Sequence, residues 1–371
     1  MVLAGCHGKS PEPKQNRRTE PVKISIFYTD DLQGEIDLCG CPVHKMGGVA
    51  RRAKFIQRFF ELKEPVVQVD AGDGFFKYHP VNAPVTDQEK SRAMVLARSA
   101  GKLKVDAINV GLWDLSAGVD FLKELSGKSQ EKAKLNLISS NLFDQDQARP
   151  IFPTEKIIER AGVKIGIFGL CRNSPDLPKT ISVLDPKVTA ELMVKKLKDK
   201  NKVELVIGLF NLGLEESKRM VQQVPGIDLV VVSGMPQYLW TPELLNATVL
   251  FQSGAGGKYL GQLEIKYHPD KKPDYLKKEL EGINLELERI SRELGVLEGK
   301  LNQDPGLKNQ YENLKKQKGI YERKQKEIIT LPFEYQYVLV PMEETLPLDY
   351  EINQWVRQAL NSPENPAGPA H

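Results

Sequence analysis

Residues 23–73 read KISIFYTDDLQGEIDLCGCPVHKMGGVARRAKFIQRFFELKEPVVQVDAGD, and this stretch decides the fold. Two runs rich in β-branched and aromatic residues, 24–29 and 66–70, predict strands. Asp31 follows the first run and Asp73 follows the second, with a helical pattern between them. Two strands joined in this way bring their carboxyl ends to one edge of a sheet. The stretch therefore predicts that Asp31 and Asp73 lie side by side, where α/β folds place their chemistry.

The same alternation continues along the chain. Short β-branched runs alternate with helical patterns as far as residue 267, which predicts an α/β fold. At 371 residues the chain is long enough to bury a sizeable core. The predicted strands are residues 24–29, 66–70, 107–110, 135–140, 163–170, 205–209, 229–233, 248–253 and 261–267.

The order of motifs resembles the N-terminal domain of the 5'-nucleotidase branch of the calcineurin-like metallophosphoesterases. In that family a strand ends in Asn-Asp-x-His-Gly, a Gly-Gly-x-Ala-Arg helix follows, and the next strand ends in Asp-Ala-Gly-Asp. The likeness covers roughly residues 22–267 and includes segments 157–166, 212–217, 225–230 and 254–263. The resemblance implies a four-layer α-β-β-α sandwich. It also implies that the nucleoside-binding second domain of full-length 5'-nucleotidases is absent here, because too few residues remain.

The metal-binding motifs of the family are altered in this chain. A two-metal phosphoesterase needs a bridging carboxylate, several neutral imidazoles and an Asn-His pair. Asp31 and Asp73 keep two carboxylate positions, but Gln33 stands where the family has its first His. The family's Gly-Asn-His-Glu, Ser-His-Leu-Gly and Gly-Gly-His-x-His correspond here to residues 111–114 (GLWD), 210–213 (FNLG) and 233–237 (SGMPQ). The resemblance therefore implies that the di-metal site has been dismantled.

Two interpretations of the retained aspartates stay open. Asp31 and Asp73 are candidate ligands for a single divalent metal, Zn²⁺ or Mn²⁺, and would then support weak hydrolysis of a nucleotide or another phosphomonoester. Alternatively, they are kept because their side chains bond to nearby backbone N–H groups and stabilise the turns.

Cysteine is what this chain adds. Cys39 and Cys41 lie in the loop that leaves the first strand, with His44 close behind, and Cys171 ends a later strand. Cys39 and Cys41 are the candidate redox pair, and Cys171 and His44 are further candidate ligands for a thiophilic metal. A static disulfide, or a buried apolar role for Cys171, is the alternative. The loop also resembles a bacterial subgroup often labelled UshA-like, some members of which carry selenocysteine in this region.

The chain ends predict a location. Residues 2–6 (VLAGC) match a bacterial lipobox, which makes Cys6 the candidate site of lipid attachment, and residues 7–21 have the composition of a flexible tether. We therefore expect residues 1–21 to hold the protein to a lipid membrane in the bacterial envelope. The net charge of +3 is too small to indicate a nucleic-acid partner.

A long helical pattern interrupts the α/β region, which we place at residues 22–270. In residues 274–328 apolar side chains recur every three or four positions, and the DPG sequence at 304–306 breaks the pattern. This predicts an antiparallel helical hairpin, at residues 271–330, that serves as a dimerisation or partner-docking arm or packs on its own domain. Residues 331–361 are expected to return to the main domain as a strand and a helix, and residues 362–371 to be disordered.

Overall fold

The computed structural model describes residues 20–39, 45–77, 84–127, 135–234, 239–269, 274–301 and 304–360. Cys6, Cys41 and His44, together with the predicted tether and the C-terminal tail, lie outside the described residues. The strands, numbered along the chain, are β1 (Val22–Thr29), β2 (Leu38–Cys39), β3 (Met46–Gly47), β4 (Val66–Asp70), β5 (Ala107–Asn109), β6 (Leu137–Ile138), β7 (Leu142–Asp144), β8 (Arg149–Pro150), β9 (Glu155–Arg160), β10 (Val163–Cys171), β11 (Ile181–Val183), β12 (Leu205–Asn211), β13 (Leu229–Ser233), β14 (Glu243–Leu245), β15 (Thr248–Phe251), β16 (Tyr259–Tyr267) and β17 (Phe333–Pro341).

The helices alternate with these strands over most of the chain. They are α1 (Val49–Glu61), α2 (Asp87–Lys102), α3 (Val119–Gly127), α4 (Pro186–Lys195), α5 (Leu214–Gln223), α6 (Asp274–Lys300), α7 (Lys308–Thr330) and α8 (Tyr350–Leu360). Local sequence explains where several of them begin: Thr86 and Glu89 form a reciprocal capping box at α2, and Asp185 caps α4 ahead of Pro186.

Two six-stranded sheets form the centre of the fold. The first has the order β17-β16-β1-β4-β5-β6 and the second β14-β15-β13-β12-β10-β9. Strands β1, β4, β5 and β6 are parallel, as are β10, β12, β13 and β15. Because parallel strands end at the same edge, each sheet presents a row of carboxyl ends. Smaller sheets are formed by β11-β7-β8 and by β2-β3.

Three apolar clusters stack across the protein. Alternate residues of β1, Ile24 and Ile26 among them, pack between the sheets against Ile165 and Ile167 of β10. The other face of the first sheet packs on α1, α2 and α8, and the outer face of the second packs on α4 and α5. Sheets buried on both faces read as continuous apolar strands, as β1 and β10 do. The predicted α/β four-layer sandwich is confirmed.

Helices α6 and α7 pack against each other to form the predicted hairpin. Ile283 and its partly buried neighbours at the base join the core between the sheets. Farther along, Ile290, Leu297 and Leu314 form a separate apolar cluster that belongs to the hairpin alone. Among the described helices, none combines the length and the apolar character needed to cross a membrane.

We expect Ile290→Ala to loosen the hairpin selectively. Ile290 is fully buried, so its truncation removes apolar contacts and leaves a cavity, at a cost of about 2–5 kcal/mol. The matched control is Leu285→Ala on the same helix, because Leu285 is 66% exposed. Hydrogen exchange should become faster in α6 and α7 of the Ile290 variant while β1 stays protected. Equal exchange in the two variants would show that the cluster does not hold the hairpin together.

Candidate functional site

The carboxyl ends of the two sheets meet at one junction lined with buried polar side chains. Strand pairing aligns Thr29 with Asp70 in the first sheet, and Cys171 with Asn211 and Asn211 with Ser233 in the second. Hydrogen bonds then cross between the sheets: the Asn109 side-chain amide donates to the Leu170 carbonyl oxygen over 2.9 Å. The buried polar residues at or next to these strand ends include Asp30, Asp31, Asp70, Asp73, Asn109, Asp114, Asn141, Asn211, Ser233 and Ser253.

Asp31 and Asp73 lie on neighbouring turns. Both residues have left-handed backbones, with φ of 47° and 56°, a conformation that Asp tolerates better than most residues. The Asp31 N–H donates to the Gly72 carbonyl oxygen, and the Gln33 N–H donates to the Asp73 carbonyl oxygen over 3.0 Å. The turns after β1 and β4 are therefore bonded to each other, which places the two carboxyl groups together.

Arg172 reaches into this junction from the end of β10. Its Nη1 donates to Oδ2 of Asp73 over 3.1 Å and to Oδ1 of Asn211 over 2.7 Å. The guanidinium carbon lies 5.1 Å from the centre of the Trp113 ring, within range of a cation–π contact. The Arg172 side chain is 21% exposed and the Asp73 side chain is fully buried, so water screens this ion pair only in part.

The other atoms around Arg172 also have partners. The Trp113 N–H donates to Oδ1 of Asp73 over 2.8 Å, and the Leu112 N–H donates to Oδ1 of Asn211 over 3.0 Å. The Asn211 amide nitrogen donates to Oγ of Ser233, which donates to the Ala71 carbonyl oxygen. A continuous chain of hydrogen bonds therefore links the two sheets.

Asp31 and Asp114 accept backbone hydrogen bonds at the same junction. Both carboxylate oxygens of Asp31 lie within 3.3 Å of the Gly234 nitrogen. Asp114 accepts from three backbone N–H groups, those of Asp73, Phe75 and Gly111, over 2.8–2.9 Å. Burial is the main cause that raises the pKa of Asp31, and the neighbouring Asp30 and Asp73 carboxyls add to it.

Asp30 and Asp70 form a second carboxyl pair behind the first. Asp30 accepts from the Ser253 N–H and hydroxyl and from the Gly254 N–H. Asp70 accepts from the Thr29 hydroxyl and from the Gly72 N–H. Burial raises the pKa of Asp70 to about 6, although these hydrogen bonds and the nearby Arg52 lower it.

This raised pKa predicts a pH dependence of stability. The folded protein holds the Asp70 proton more tightly than the unfolded chain, whose carboxyl has the ordinary pKa of 3.8. The contribution is complete below pH 3.8 and is lost as the pH rises through about 6. The free energy of unfolding should therefore fall between about pH 4 and about pH 7, and Asp70→Asn should flatten the curve by at most about 3 kcal/mol. Burial raises the pKa of the neighbouring Asp30 to about 7, so a curve that Asp70→Asn leaves unchanged would assign the effect to Asp30. Chemical denaturation across the pH range measures it.

Comparison with known proteins identifies the fold. No family model matches the chain. It is 22% identical over 326 residues to the 5'-nucleotidase of Vibrio vulnificus (strain CMCP6), covering 76% of this chain and 56% of that protein. It superposes on the crystal structure of the 5'-nucleotidase precursor from Thermus thermophilus with a TM-score of 0.62 and 17% identity, covering 91% of this chain and 58% of that one. The chain has the fold of the 5'-nucleotidase branch of the calcineurin-like phosphoesterases.

A further neighbour matches almost end to end. The calcineurin-like phosphoesterase YfkN from Bacillus subtilis superposes with a TM-score of 0.60 and 15% identity, covering 91% of this chain and 97% of that one. In contrast, the chain spans about half the length of the curated 5'-nucleotidases it matches. The shared part is the N-terminal domain region that the motif order predicted.

The 5'-nucleotidase-like junction does not fit a di-metal centre in this chain. Asp73 is already paired with a guanidinium, whose positive charge opposes a metal cation at the same carboxylate. Asn211, where the family has a His, uses its Oδ1 for two hydrogen bonds. Among the described residues, no group of three or more His, Cys, Asp or Glu side chains is arranged to hold a metal ion.

No histidine in the described ranges replaces the imidazole ligands that the junction lacks. Their one histidine, His268, follows β16, which is antiparallel to β1 and pairs Tyr267 with Val22. His268 therefore lies at the amino end of β1, across the sheet from Asp31, where its Nε2 is 3.2 Å from a Glu334 carboxylate oxygen. It cannot act as a ligand at the junction.

The cysteine candidates fall in two places. Cys39 is half-buried in the β2-β3 ribbon, where it pairs with Met46, and the rest of its loop, with Cys41 and His44, lies outside the described residues. Cys171 is fully buried at the end of β10, and burial together with the Asp73 carboxylate raises the pKa of its thiol. The convergence of the three cysteines and His44 stays a prediction, while Asp31 and Asp73 are brought together.

Sequence reasoning did not find Arg172 or the structural role of Asp114. Arg172 directly follows Cys171 at a strand end, which placed it near the site, but a single charged residue gives no signal of where its side chain goes. The alignment of residues 111–114 with Gly-Asn-His-Glu sets Asp114 opposite the Glu of the family motif. It did not indicate that three backbone N–H groups converge on it.

Proposed function

We propose that this chain is an envelope lipoprotein, lipid-anchored through Cys6, that uses a 5'-nucleotidase-like fold without di-metal hydrolysis. Its functional group is the Cys39–Cys41 loop, acting as a redox pair or as the site of a single metal ion, Zn²⁺ or Mn²⁺. The observation that carries the proposal is the ion pair between Arg172 and Asp73 inside the family's metal-binding junction.

The chemistry of phosphoester hydrolysis supports the first half of this proposal. A two-metal hydrolase needs open coordination positions where water becomes a nucleophile. In this chain the retained carboxylates are bonded to backbone N–H groups and to a guanidinium. Trp113 takes the position of the family's catalytic His. Its indole ring has no acidic group that could protonate a leaving oxygen.

The place of the ribbon supports the second half. The Gly47 N–H at the end of β3 donates to the Met342 carbonyl oxygen, and the Gly256 N–H beside it donates to the Asp31 carbonyl oxygen. A Cβ atom built on Gly47 would lie 3.5 Å from the Gly256 carbonyl oxygen, so the β3 end of the ribbon lies close to the segment that bonds to Asp31. Burial of Cys171 disfavours its thiolate form. We therefore assign the reactive sulfur to Cys39 and Cys41.

Hydrolysis is tested by phosphate release from a nucleotide in excess Mn²⁺. The proposal predicts no release above that of an Asp73→Ala variant. Release by the unmodified protein that Asp73→Ala abolishes would instead establish the alternative function, a weak metal-dependent nucleotide or phosphomonoester hydrolase that uses Asp31 and Asp73.

The cysteine loop is tested by thiol titration and metal analysis. Cys39→Ser and Cys41→Ser should each remove a fast-reacting thiol or the bound metal, whereas Cys171→Ser should leave both unchanged because that thiol is buried. No bound metal together with slow modification of Cys39 and Cys41 would remove the redox and metal function.

A second candidate function is a partner-docking arm. Leu285, Val296 and Ile320 on the hairpin are each more than half exposed, which favours contact with another protein or a second copy of the chain. Deletion of residues 274–328 should then abolish an oligomer or complex seen by light scattering with the full chain. A monodisperse monomer before and after deletion would exclude self-association.

A further inference from the structure

The positive charge that contacts Asp73 at the junction comes from one side chain, that of Arg172. Asp31 and Asp73 lie together, buried, on bonded turns. Buried carboxylates need a compensating positive charge. The Arg172 guanidinium bridges Asp73 and Asn211, two residues at positions that bind metal in the family.

We propose that Arg172 is a built-in cation of this junction, which neutralises the Asp73 carboxylate and ties the two sheets together in place of a metal ion. The inference rests on the proposed absence of di-metal hydrolysis. It adds a specific role, because it assigns the positive charge beside Asp73 to a side chain of the protein itself.

The backbone around the guanidinium leaves room for it. A Cβ atom built on Gly234 would lie 2.4 Å from Nη1 of Arg172, and Gly234 has φ of +101°, so a side chain there would meet the guanidinium. A Cβ atom on Gly111 would lie 2.4 Å from Oδ1 of Asp73. Both glycines hold donors that the network uses, since Gly234 N–H bonds to Asp31 and Gly111 N–H bonds to Asp114.

The shape of the contact selects arginine. A guanidinium is planar, keeps its charge and presents several N–H donors, and its face stacks on an aromatic ring. Arg172 donates from one nitrogen to Asp73 and to Asn211, and its guanidinium carbon lies 5.1 Å from the centre of the Trp113 ring. Its backbone is also fixed, because the Arg172 N–H donates to the Asn211 carbonyl oxygen over 3.0 Å. A lysine ammonium would keep the charge but lose the planar contacts.

The test compares the thermal stability of the full chain with Arg172→Ala and Arg172→Lys. The matched control is Arg219→Ala, which removes an exposed arginine paired with Glu216. Truncating one partner of a partly buried ion pair should shift the unfolding equilibrium by at least about tenfold, whereas the control should shift it by about threefold or less. Arg172→Lys should fall between Arg172→Ala and the unmodified protein.

Added cations separate a charge role from simple packing. Low concentrations of guanidinium chloride, or Mn²⁺, should raise the melting temperature of Arg172→Ala by more than that of the unmodified protein or Arg219→Ala, with NaCl at equal ionic strength as the reference. A melting temperature of Arg172→Ala that neither cation raises would overturn the inference. So would a Mn²⁺-induced rise in the unmodified protein that Asp73→Asn abolishes, a measurement that remains possible if Arg172→Ala fails to fold. Phosphate release by the unmodified protein would instead refute the proposed function, so the two failures are distinguishable.

Discussion

Replacement of Asp114 by alanine is expected to be among the most destabilising single changes in this protein. The Asp114 carboxylate is fully buried and is the acceptor for the backbone N–H groups of Asp73, Phe75 and Gly111. Each buried donor left without a partner costs about 1–3 kcal/mol, so the three together cost about 3–9 kcal/mol. Domains are stable by about 5–15 kcal/mol, so this loss is a large part of the free energy of unfolding. We therefore expect Asp114→Ala to unfold at a much lower urea concentration than the unmodified protein.

The control for this prediction is Asp146→Ala, an exposed residue of the turn after β7, which should change the free energy of unfolding by less than about 0.5 kcal/mol. Urea denaturation followed by circular dichroism measures both variants. If Asp114→Ala unfolds within about 1 kcal/mol of the unmodified protein, water must replace the carboxylate at the three N–H groups, and the junction is less closed than its hydrogen bonds indicate.

Gly169→Ala is the second change for which we expect a large loss. A Cβ atom built on Gly169 in β10 would lie 2.1 Å from Oδ1 and 3.2 Å from Cβ of Asn109, so the whole side chain would have to move. Asn109 cannot move freely, since its amide donates to the carbonyl oxygens of Ala71 and Leu170 and so joins the two sheets. Overpacking together with the loss of these bonds should cost about 3–5 kcal/mol.

Gly282→Ala is the matched control, because nothing lies within 4 Å of the Cβ position on Gly282 in helix α6. Alanine is the better helix former, so this variant should gain about 0.5–1 kcal/mol. Thermal denaturation of the pair should therefore show shifts of opposite sign. A neutral Gly169→Ala variant would mean that the sheets can separate at this point without loss of stability.

In these predictions the polar network of the junction holds the two sheets together. In the proposal, carboxylates that the family keeps for metal ions are used here by backbone donors and by Arg172. The polar network then makes the same contribution to the fold at any metal concentration. The proposal assigns redox or metal chemistry to the cysteine loop and not to this network.

Sequence patterns predicted much of the fold. The β-branched runs predicted each central parallel strand, and the apolar spacing in residues 274–328 predicted α6 and α7. Both predictions were possible because burial on a sheet or a helix face sets the local spacing of apolar residues. The short strands β2, β3, β7, β8, β11 and β14 were missed, since two or three residues give no period to detect. The six-residue strand β9 was missed as well. The predicted strand at 135–140 is shorter in the structure, where β6 spans only Leu137–Ile138.

The site was predictable only in part. Strand ends and the motif order placed Asp31 and Asp73 together, because the carboxyl ends of parallel strands share an edge. The amino-acid sequence by itself thus determined the α/β alternation and the neighbouring aspartates, whereas the four layers and the loss of the motif histidines were what the family resemblance implied. The tertiary structure alone decided that Arg172 of one sheet pairs with Asp73 of the other and that Asp114 gathers three N–H groups. The bond between Asp73 and Asp114 joins residues 41 positions apart that follow neighbouring strands of the first sheet. The bond between Asp73 and Arg172 joins residues 99 positions apart, which only the packing of the two sheets brings within bonding distance.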